Sequence, residues 1–253
     1  MDKWYLEYSI EKDKFGLLGE VASLIGMLKL NIIKVNGIDQ VKRGFLLEID
    51  NTAKVAVLRN VLSMIEHIKL TALRPATLLD EISLRHGSSI SVSVEKCSIY
   101  RFSRDEIGLL VDFMGEMMKK GPLIIGLRGM PRVGKSEAAI ASCVNSNKHW
   151  ILISATIFQT VIRTNLTEEE KGLECVYLID GIISAFKGGE AHKKLIQEVI
   201  RLPRPKIIEH PDILIEQGVL NEEDIDVIVE IRKHADEVIS YDKMKTNFIS
   251  FDM

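Results

Sequence analysis

Cysteine is scarce in this chain. Cys97, Cys143 and Cys175 are odd in number and widely spaced. They fit neither a disulfide framework nor a metal-ligand spacing, so they read as idle thiols in a reducing compartment. Six prolines and 17 glycines are too few for collagen-like or low-complexity sequence. No stretch approaches the roughly 18 uninterrupted apolar residues of a membrane span. The opening MDKWYLEYSIEKD is charged where a signal peptide would be apolar. The expectation is therefore a cytoplasmic protein with no membrane partner. A basic surplus is missing as well. With 33 Lys and Arg against 36 Asp and Glu the net charge is −3, which disfavours nucleic acid as a partner. What remains is an ordinary globular composition, 46% hydrophobic and 27% charged over 253 residues, with room for one large domain or two modest ones.

The first 74 residues carry a readable alternation of periods. Trp4, Leu6, Tyr8 and Ile10 recur every second residue, the signature of a half-buried strand. Asp13 to Gly16 is a turn, after which Leu17, Leu18, Val21, Leu24, Ile25 and Leu28 form a helical stripe. Strands follow at Ile32–Val35 and Phe45–Ile49, separated by a turn expected at Asn36-Gly37. Val55, Leu58, Leu62 and Ile65 mark a second helix, and Lys69–Leu73 a fourth strand ended by Pro75. The order β-α-β-β-α-β is the ferredoxin-like α+β unit. Asp13-Lys14-Phe15-Gly16-Leu17-Leu18, opening a helix after the first strand, resembles the turn of ACT domains, with Phe15 where proline is usual. That resemblance implies a regulatory module that pairs through its sheet into a homodimer and binds an amino acid or another small ligand at this turn. A ferredoxin-like oligomerisation domain that binds nothing is the alternative, because fold does not fix function.

Residues 75–120 read as a connection. Leu78, Leu79 and Ile82 suggest a short helix, and Arg85-His86-Gly87-Ser88 a break. Ile90 to Phe102 reads as a hairpin. Ser103-Arg104-Asp105-Glu106 is a capping box at the start of a helix carrying Ile107, Leu110, Val111 and Met114, with Met117 or Met118. The methionines belong to a core, where they fill irregular gaps.

The remaining residues, 121–253, contain the motif with chemistry. Leu123 to Leu127 is a continuous apolar run, as in a parallel strand buried on both faces. Gly129-Met130-Pro131-Arg132-Val133-Gly134-Lys135-Ser136 follows and satisfies G-x-x-x-x-G-K-[ST] at every fixed position. Glu137 to Ser142, rich in alanine, continues as a helix. A polyphosphate needs many short-range donors. A loop wrapped around it turns successive amides inward, and the next helix adds its positive end. The expected binding residues are Gly129, Arg132, Val133, Gly134, Lys135, Ser136 and Glu137, with Lys135 on the β- and γ-phosphates and Ser136 on Mg²⁺.

This segment resembles the P-loop NTPase superfamily, which implies a strand ending in a magnesium-shell aspartate. Val176-Tyr177-Leu178-Ile179-Asp180 fits, making Asp180 the second metal residue beside Ser136. Position 181 is glycine, so no carboxylate directly follows that aspartate and the base is unassigned. Alternating strands and helices imply a doubly wound parallel sheet, whose ligands meet the carboxyl ends of strands. That rule nominates Ser154, Thr156, Glu209, His210 and Asp212, with Glu209 and Asp212 as candidates to orient a water or hydroxyl, beside Lys135 as the catalytic cation. Arg128, Arg132, Arg201 and Arg204 are candidate transition-state cations. From Glu209 onward there are 12 acidic and 4 basic residues, a balance of −8. No Asn/Thr-Lys-x-Asp guanine motif stands near the late strands, which favours ATP over GTP.

The whole chain resembles one bacterial family, the YmfK-like proteins, through Gly16-Leu17-Leu18-Gly19, Leu84-Arg85-His86-Gly87, Gly108-Leu109-Leu110-Val111-Asp112-Phe113-Met114, Arg128 to Ser136, Ile179-Asp180-Gly181-Ile182 and Ile208-Glu209-His210-Pro211-Asp212. It implies architecture but no substrate. The combined expectation is an ACT-like domain at 1–74, a connecting segment at 75–120 and a P-loop domain at 121–253 that binds Mg-ATP. Its use is regulatory, or it is an ATPase or small-molecule kinase. A nucleic-acid-associated regulator is the reading that the charge balance disfavours.

Overall fold

Two different periodicities build two different sheets. The computed structural model describes residues 2–94, 97–160, 165–172, 174–234 and 236–240, and the chain separates into two units, Met1–Ile90 and Ser91–Met253.

In the first unit the elements are β1 (Asp2–Ile10), α1 (Leu17–Met27), β2 (Asn31–Gly37), β3 (Lys42–Ile49), α2 (Ala53–Ser63), β4 (Ile68–Pro75) and α3 (Leu78–His86). The strands lie in the order β2-β3-β1-β4, every pair antiparallel. Alternation puts Leu6, Tyr8, Phe45 and Leu47 on one face, where they pack against Leu17, Val21 and Ile25 of α1 and Leu58 and Leu62 of α2. Asn36 and Gly37 stay within β2. The reversal comes later, where the Asp39 carboxylate accepts from the amides of Val41 (2.8 Å) and Lys42 (2.6 Å). An aspartate that bonds the backbone two residues on mimics a turn by itself, so it outcompetes the Asn-Gly pair.

The opposite face holds Tyr5, Ile38 and Leu46 with Leu84 of α3. At Gly44 a Cβ would stand 2.8 Å from Leu84 Cδ2, so the helix lies close on the strand. Thr77 and Asp80 form a capping box at the start of α3, and Asp80 also takes a two-pronged bond from Arg74. The helix expected in the connecting segment is thus part of the first unit, because its apolar stripe has a sheet face to cover.

The second unit comprises β5 (Ser91–Val94), β6 (Ser98–Ser103), α4 (Ile107–Lys119), β7 (Ile124–Arg128), α5 (Lys135–Asn145), β8 (His149–Ile153), α6 (Ala155–Thr160), α7 (Glu168–Gly172), β9 (Cys175–Asp180), α8 (Gly181–Lys187), α9 (Glu190–Arg201), β10 (Lys206–Glu209), α10 (Pro211–Glu216) and β11 (Val227–Arg232). The sheet runs β5-β6-β11-β7-β10-β9-β8, parallel throughout except for the β5–β6 hairpin. The hairpin is no connector. β6 pairs with β11 over Ser98–Ser103, a partner some 129 residues away in sequence. The expected capping box is formed, with Ser103 N–H donating to Glu106 at 3.0 Å.

Helices α8, α9 and α10 close one face, packing Ile182, Leu195, Ile196 and Ile213 against Ile124, Tyr177, Ile179 and Ile208. On the other face Phe113 of α4 lies against Tyr100 and Phe102 of β6, with ring centroids 4.6 and 5.5 Å apart. Met114 and Met118 are fully buried there. Among the described residues no helix is long and apolar enough to cross a membrane.

Leu58 of α2 has no exposure and Phe15, at the tip of the first turn, is fully exposed. Leu58→Ala is expected to lower the first unit's stability by about 2–5 kcal/mol. Phe15→Ala is expected to change it by less than about 0.5 kcal/mol. Urea denaturation read by circular dichroism checks both.

Candidate functional site

The glycine loop leaves the sheet where β7 ends. At Gly129 the chain passes so close to β11 that a Cβ would stand 2.7 Å from the Ile231 carbonyl oxygen and 2.8 Å from Val133 Cγ1. Arg132 has φ 62° and Gly134 φ 100°, so the loop enters the left-handed region twice. For arginine this is an uncommon conformation, and turns of this kind converge successive N–H groups into an anion-binding concavity. Val133 is fully buried and anchors the loop to the core. Gly134 caps α5, whose first residues are Lys135 and Ser136.

Lys135 is 6% exposed. Its Nζ donates to the Gly129 carbonyl at 3.0 Å and the Met130 carbonyl at 2.9 Å, so the amine spans the mouth of its own loop. Burial lowers its pKa, and the carboxylates of Glu209, Asp180 and Glu237 oppose that fall.

Two of those carboxylates reach the loop through strand order alone. β10 lies between β7 and β9, with Glu209 level with Leu127 on one side and Asp180 on the other. Both acids therefore end their strands at the edge where the loop begins. Burial raises the pKa of Glu209, opposed by a hydrogen bond from the Ser136 hydroxyl and by the charge of Lys135. Burial also raises that of Asp180, which accepts from the Ile183 amide at 3.0 Å and caps α8. His210, next in chain, sits at φ 54° with its pKa pushed down to about 3 by burial and by Lys135, and is a neutral imidazole. A cavity of about 480 Å³ opens here, lined by Lys135, Ser136, Glu137, Glu209 and His210 together with Arg104, Pro131, Arg132 and Gly134.

The glycine after Asp180 has a steric cause. A Cβ at Gly181 would lie 2.3 Å from the Glu209 carbonyl and 2.8 Å from that of His210. No carboxylate fits at 181 because β10 runs past it, and β10 brings its own carboxylate, Glu209, to the same edge.

The other nominated residues divide. Asp212 is held by Arg128 in a two-pronged pair, 3.0 Å from Nε and 2.6 Å from Nη2, so both its oxygens are engaged. Arg128 also lies 3.9 Å from Glu230, which Arg101 and Arg232 hold at 3.0 and 2.6 Å. Arg201 ends α9 and Arg204 precedes β10, at the amino edge of the sheet and opposite the loop. Ser154 and Thr156 follow β8, the outermost strand beyond β9. Arg104, immediately after β6, was not nominated; its guanidinium donates to the Arg132 carbonyl. The carboxyl-end rule would have found it had the place of β6 in the sheet been readable.

Among the described residues no three His, Cys, Asp or Glu side chains converge as a metal cluster. Cys143, pushed up to about 12 by burial, and Cys175, also raised by burial, are closed thiols. In the first unit a second cavity, of about 650 Å³, follows the turn Asp13–Leu18 and is bordered by Tyr8, Ile10 and Arg43.

The sequence profile of DUF3388, described as a protein of unknown function, matches residues 70–252. A protein of Bacillus subtilis (strain 168), described as uncharacterized protein YmfK, is 42% identical over 258 residues, covering 99% of this chain and 96% of its own. A crystal structure of phospho-2-dehydro-3-deoxyheptonate aldolase from Thermotoga maritima aligns over 90% of this chain and 69% of its own at 10% identity. Its TM-score of 0.22 carries no argument about this fold. The match over most of the length and the full-length relative place the chain in one family: it belongs to DUF3388, together with YmfK.

Proposed function

We propose that the second unit is a P-loop domain that binds a magnesium nucleoside triphosphate, ATP in preference to GTP, and that the first is an ACT-like module that takes a small ligand or joins two copies to regulate it. One observation carries the nucleotide reading. A buried lysine and a serine at a helix start share a strand edge and a cavity with glutamate, and the aspartate of the next strand stands at the same edge. The residues fit the group. Lys135 already holds two oxygen acceptors at 2.9 and 3.0 Å, and phosphate oxygens would replace those carbonyls. Ser136 and Asp180 are too few to enclose a metal, which suits Mg²⁺, a cation that takes one or two protein oxygens with phosphate and water. When bound, Mg²⁺ offsets charge on the terminal phosphates.

The roles of the chain's own groups follow from their chemistry. The loop amides and the positive end of α5 bind phosphate, although Pro131 contributes no N–H. Lys135 neutralises charge. Ser136 orients toward the metal once released from Glu209. Arg132 and Glu137 border the cavity, and Val133 keeps the loop fixed. For the first unit, the support is its β2-β3-β1-β4 sheet and the cavity at the turn Asp13–Leu18.

A second reading, ATP hydrolysis or transfer to a small acceptor, is favoured by Gly181 and Glu209 together. Where a base after Asp180 is sterically barred, Glu209 supplies a carboxylate of raised pKa at the same edge. A base is more effective as its pKa approaches the working pH.

Lys135→Ala is expected to weaken Mg-ATP binding by roughly ten- to a hundredfold, the scale of a lost charge-assisted bond. Isothermal titration checks it, and equal binding by both proteins would remove the P-loop reading. If the chain hydrolyses ATP, Glu209→Gln is expected to keep nucleotide affinity while phosphate release falls about a hundredfold or more. A proton competes with metal for Asp180. Because burial raises its pKa, the Mg²⁺-dependent gain in affinity is expected to fade on acidification at a higher pH than for an ordinary aspartate. Titrations across pH 4–8 (about the span between carboxylate and neutral pH) with and without Mg²⁺ measure this.

A further inference from the structure

We propose that Arg104 is the residue that reads the terminal phosphate of the bound nucleotide, a triphosphate-specific cation supplied from β6 rather than from the elements that follow the glycine loop. The inference rests on the P-loop reading of residues 129–136 and names a specificity residue for that same site.

Arg104 and Arg132 are the arginines among the described residues that line the cavity, and Arg132 belongs to the loop itself; the others are engaged or placed elsewhere. Arg128 forms a two-pronged pair with Asp212. Arg101 and Arg232 are committed to Glu230. Arg201 and Arg204 lie at the far edge of the sheet. Arg104 stands on the right edge because β6 is parallel to β11, and β11 to β7, so residue 104 follows a strand end on the side where residue 129 does. It lines the cavity with Lys135, Ser136 and Glu209.

Its present partner is informative. The guanidinium donates through Nη1 to the carbonyl of Arg132, the residue that holds φ 62° in the loop. A neutral carbonyl is a weak acceptor for a full positive charge, and a guanidinium carries five N–H donors in a planar fork. One donor engages the loop and others remain in a cavity built around a buried lysine. A phosphate oxygen is the stronger acceptor, because charge-assisted bonds are about twice as strong as neutral ones. The γ-phosphate is what distinguishes a triphosphate from a diphosphate, and a cation mounted on a separate strand is free to answer its presence. The capping box that starts α4 uses Ser103 and Glu106, so position 104 can change without losing it.

The test is equilibrium binding of ATP and ADP, each with Mg²⁺, to the full chain and to Arg104→Ala, Arg104→Lys and Lys135→Ala. Arg104→Ala is expected to weaken ATP by about ten- to a hundredfold while ADP changes less than about threefold, and Arg104→Lys to recover part of the loss because the charge is kept without the fork. Lys135→Ala is expected to weaken both nucleotides. Equal losses of ATP and ADP in Arg104→Ala would make it a support of the loop alone and overturn the proposal, as would no loss of either; in both cases the P-loop reading stands. Absence of nucleotide binding by the unaltered chain would overturn both.

Discussion

The insertion of β10 between β7 and β9 is the constraint on which the candidate site depends. Four residues, Lys206–Glu209, pair on both sides at once and fix three strand ends at one edge. The glycine loop rises from the first, Glu209 ends the second and Asp180 ends the third. The same closeness decides residues in the third strand's exit, since the backbone carbonyls of Glu209 and His210 leave no room for any side chain at 181. Removing a side chain from one strand and presenting one from its neighbour are two consequences of a single spacing, the roughly 4.8 Å between hydrogen-bonded strands.

Charge is concentrated where burial makes it expensive. Lys135, Asp180 and Glu209 are all shifted toward their neutral forms by desolvation; the two carboxylates draw the lysine back and the lysine draws each of them back, while Asp180 pushes Glu209 further up. Such mutual support keeps ions inside a protein only when hydrogen bonds accompany it. Here the Ile183 amide, the Ser136 hydroxyl and two loop carbonyls provide them. A short distance along the same edge the arrangement is different. Arg101, Arg128 and Arg232 gather around Glu230 and Asp212, a network that ties β6, β7, β11 and α10 together and engages all three guanidiniums. The edge thus has a structural half and a half that faces the cavity, with Arg104 at the seam.

The two units differ in how much of them could be read from sequence. In the first, local rules sufficed for most of it: alternation of Trp4 to Ile10, the stripe from Leu17 to Leu28, and the strand order of a β-α-β-β-α-β chain. They failed at Asn36-Gly37, where an aspartate three residues later makes the tighter turn, and at α3, whose apolar side has meaning only against Tyr5 and Leu46. In the second, the loop 129–136 and the strand ending at Asp180 were legible because their residue types stand at fixed short spacings. In residues 75–120 the helix, the hairpin and the capped helix were legible but their placement was not, because they divide between the units and the hairpin that looks like a connector finds its partner in β11.

The sequence by itself determined the periods of strands and helices, the glycine loop before α5, and the identities of Lys135, Ser136, Asp180 and Glu209. These rest on backbone preferences and spacings within a dozen residues. Tertiary structure alone decided which strands are neighbours in the second unit, that Asp212 and Arg128 neutralise each other, that Arg201 and Arg204 face away, and that Arg104 comes to the loop. Each of those depends on hydrogen bonds between segments up to 129 residues apart, and the free energy of such pairings belongs to the assembled sheet, with no trace in the local pattern of either strand.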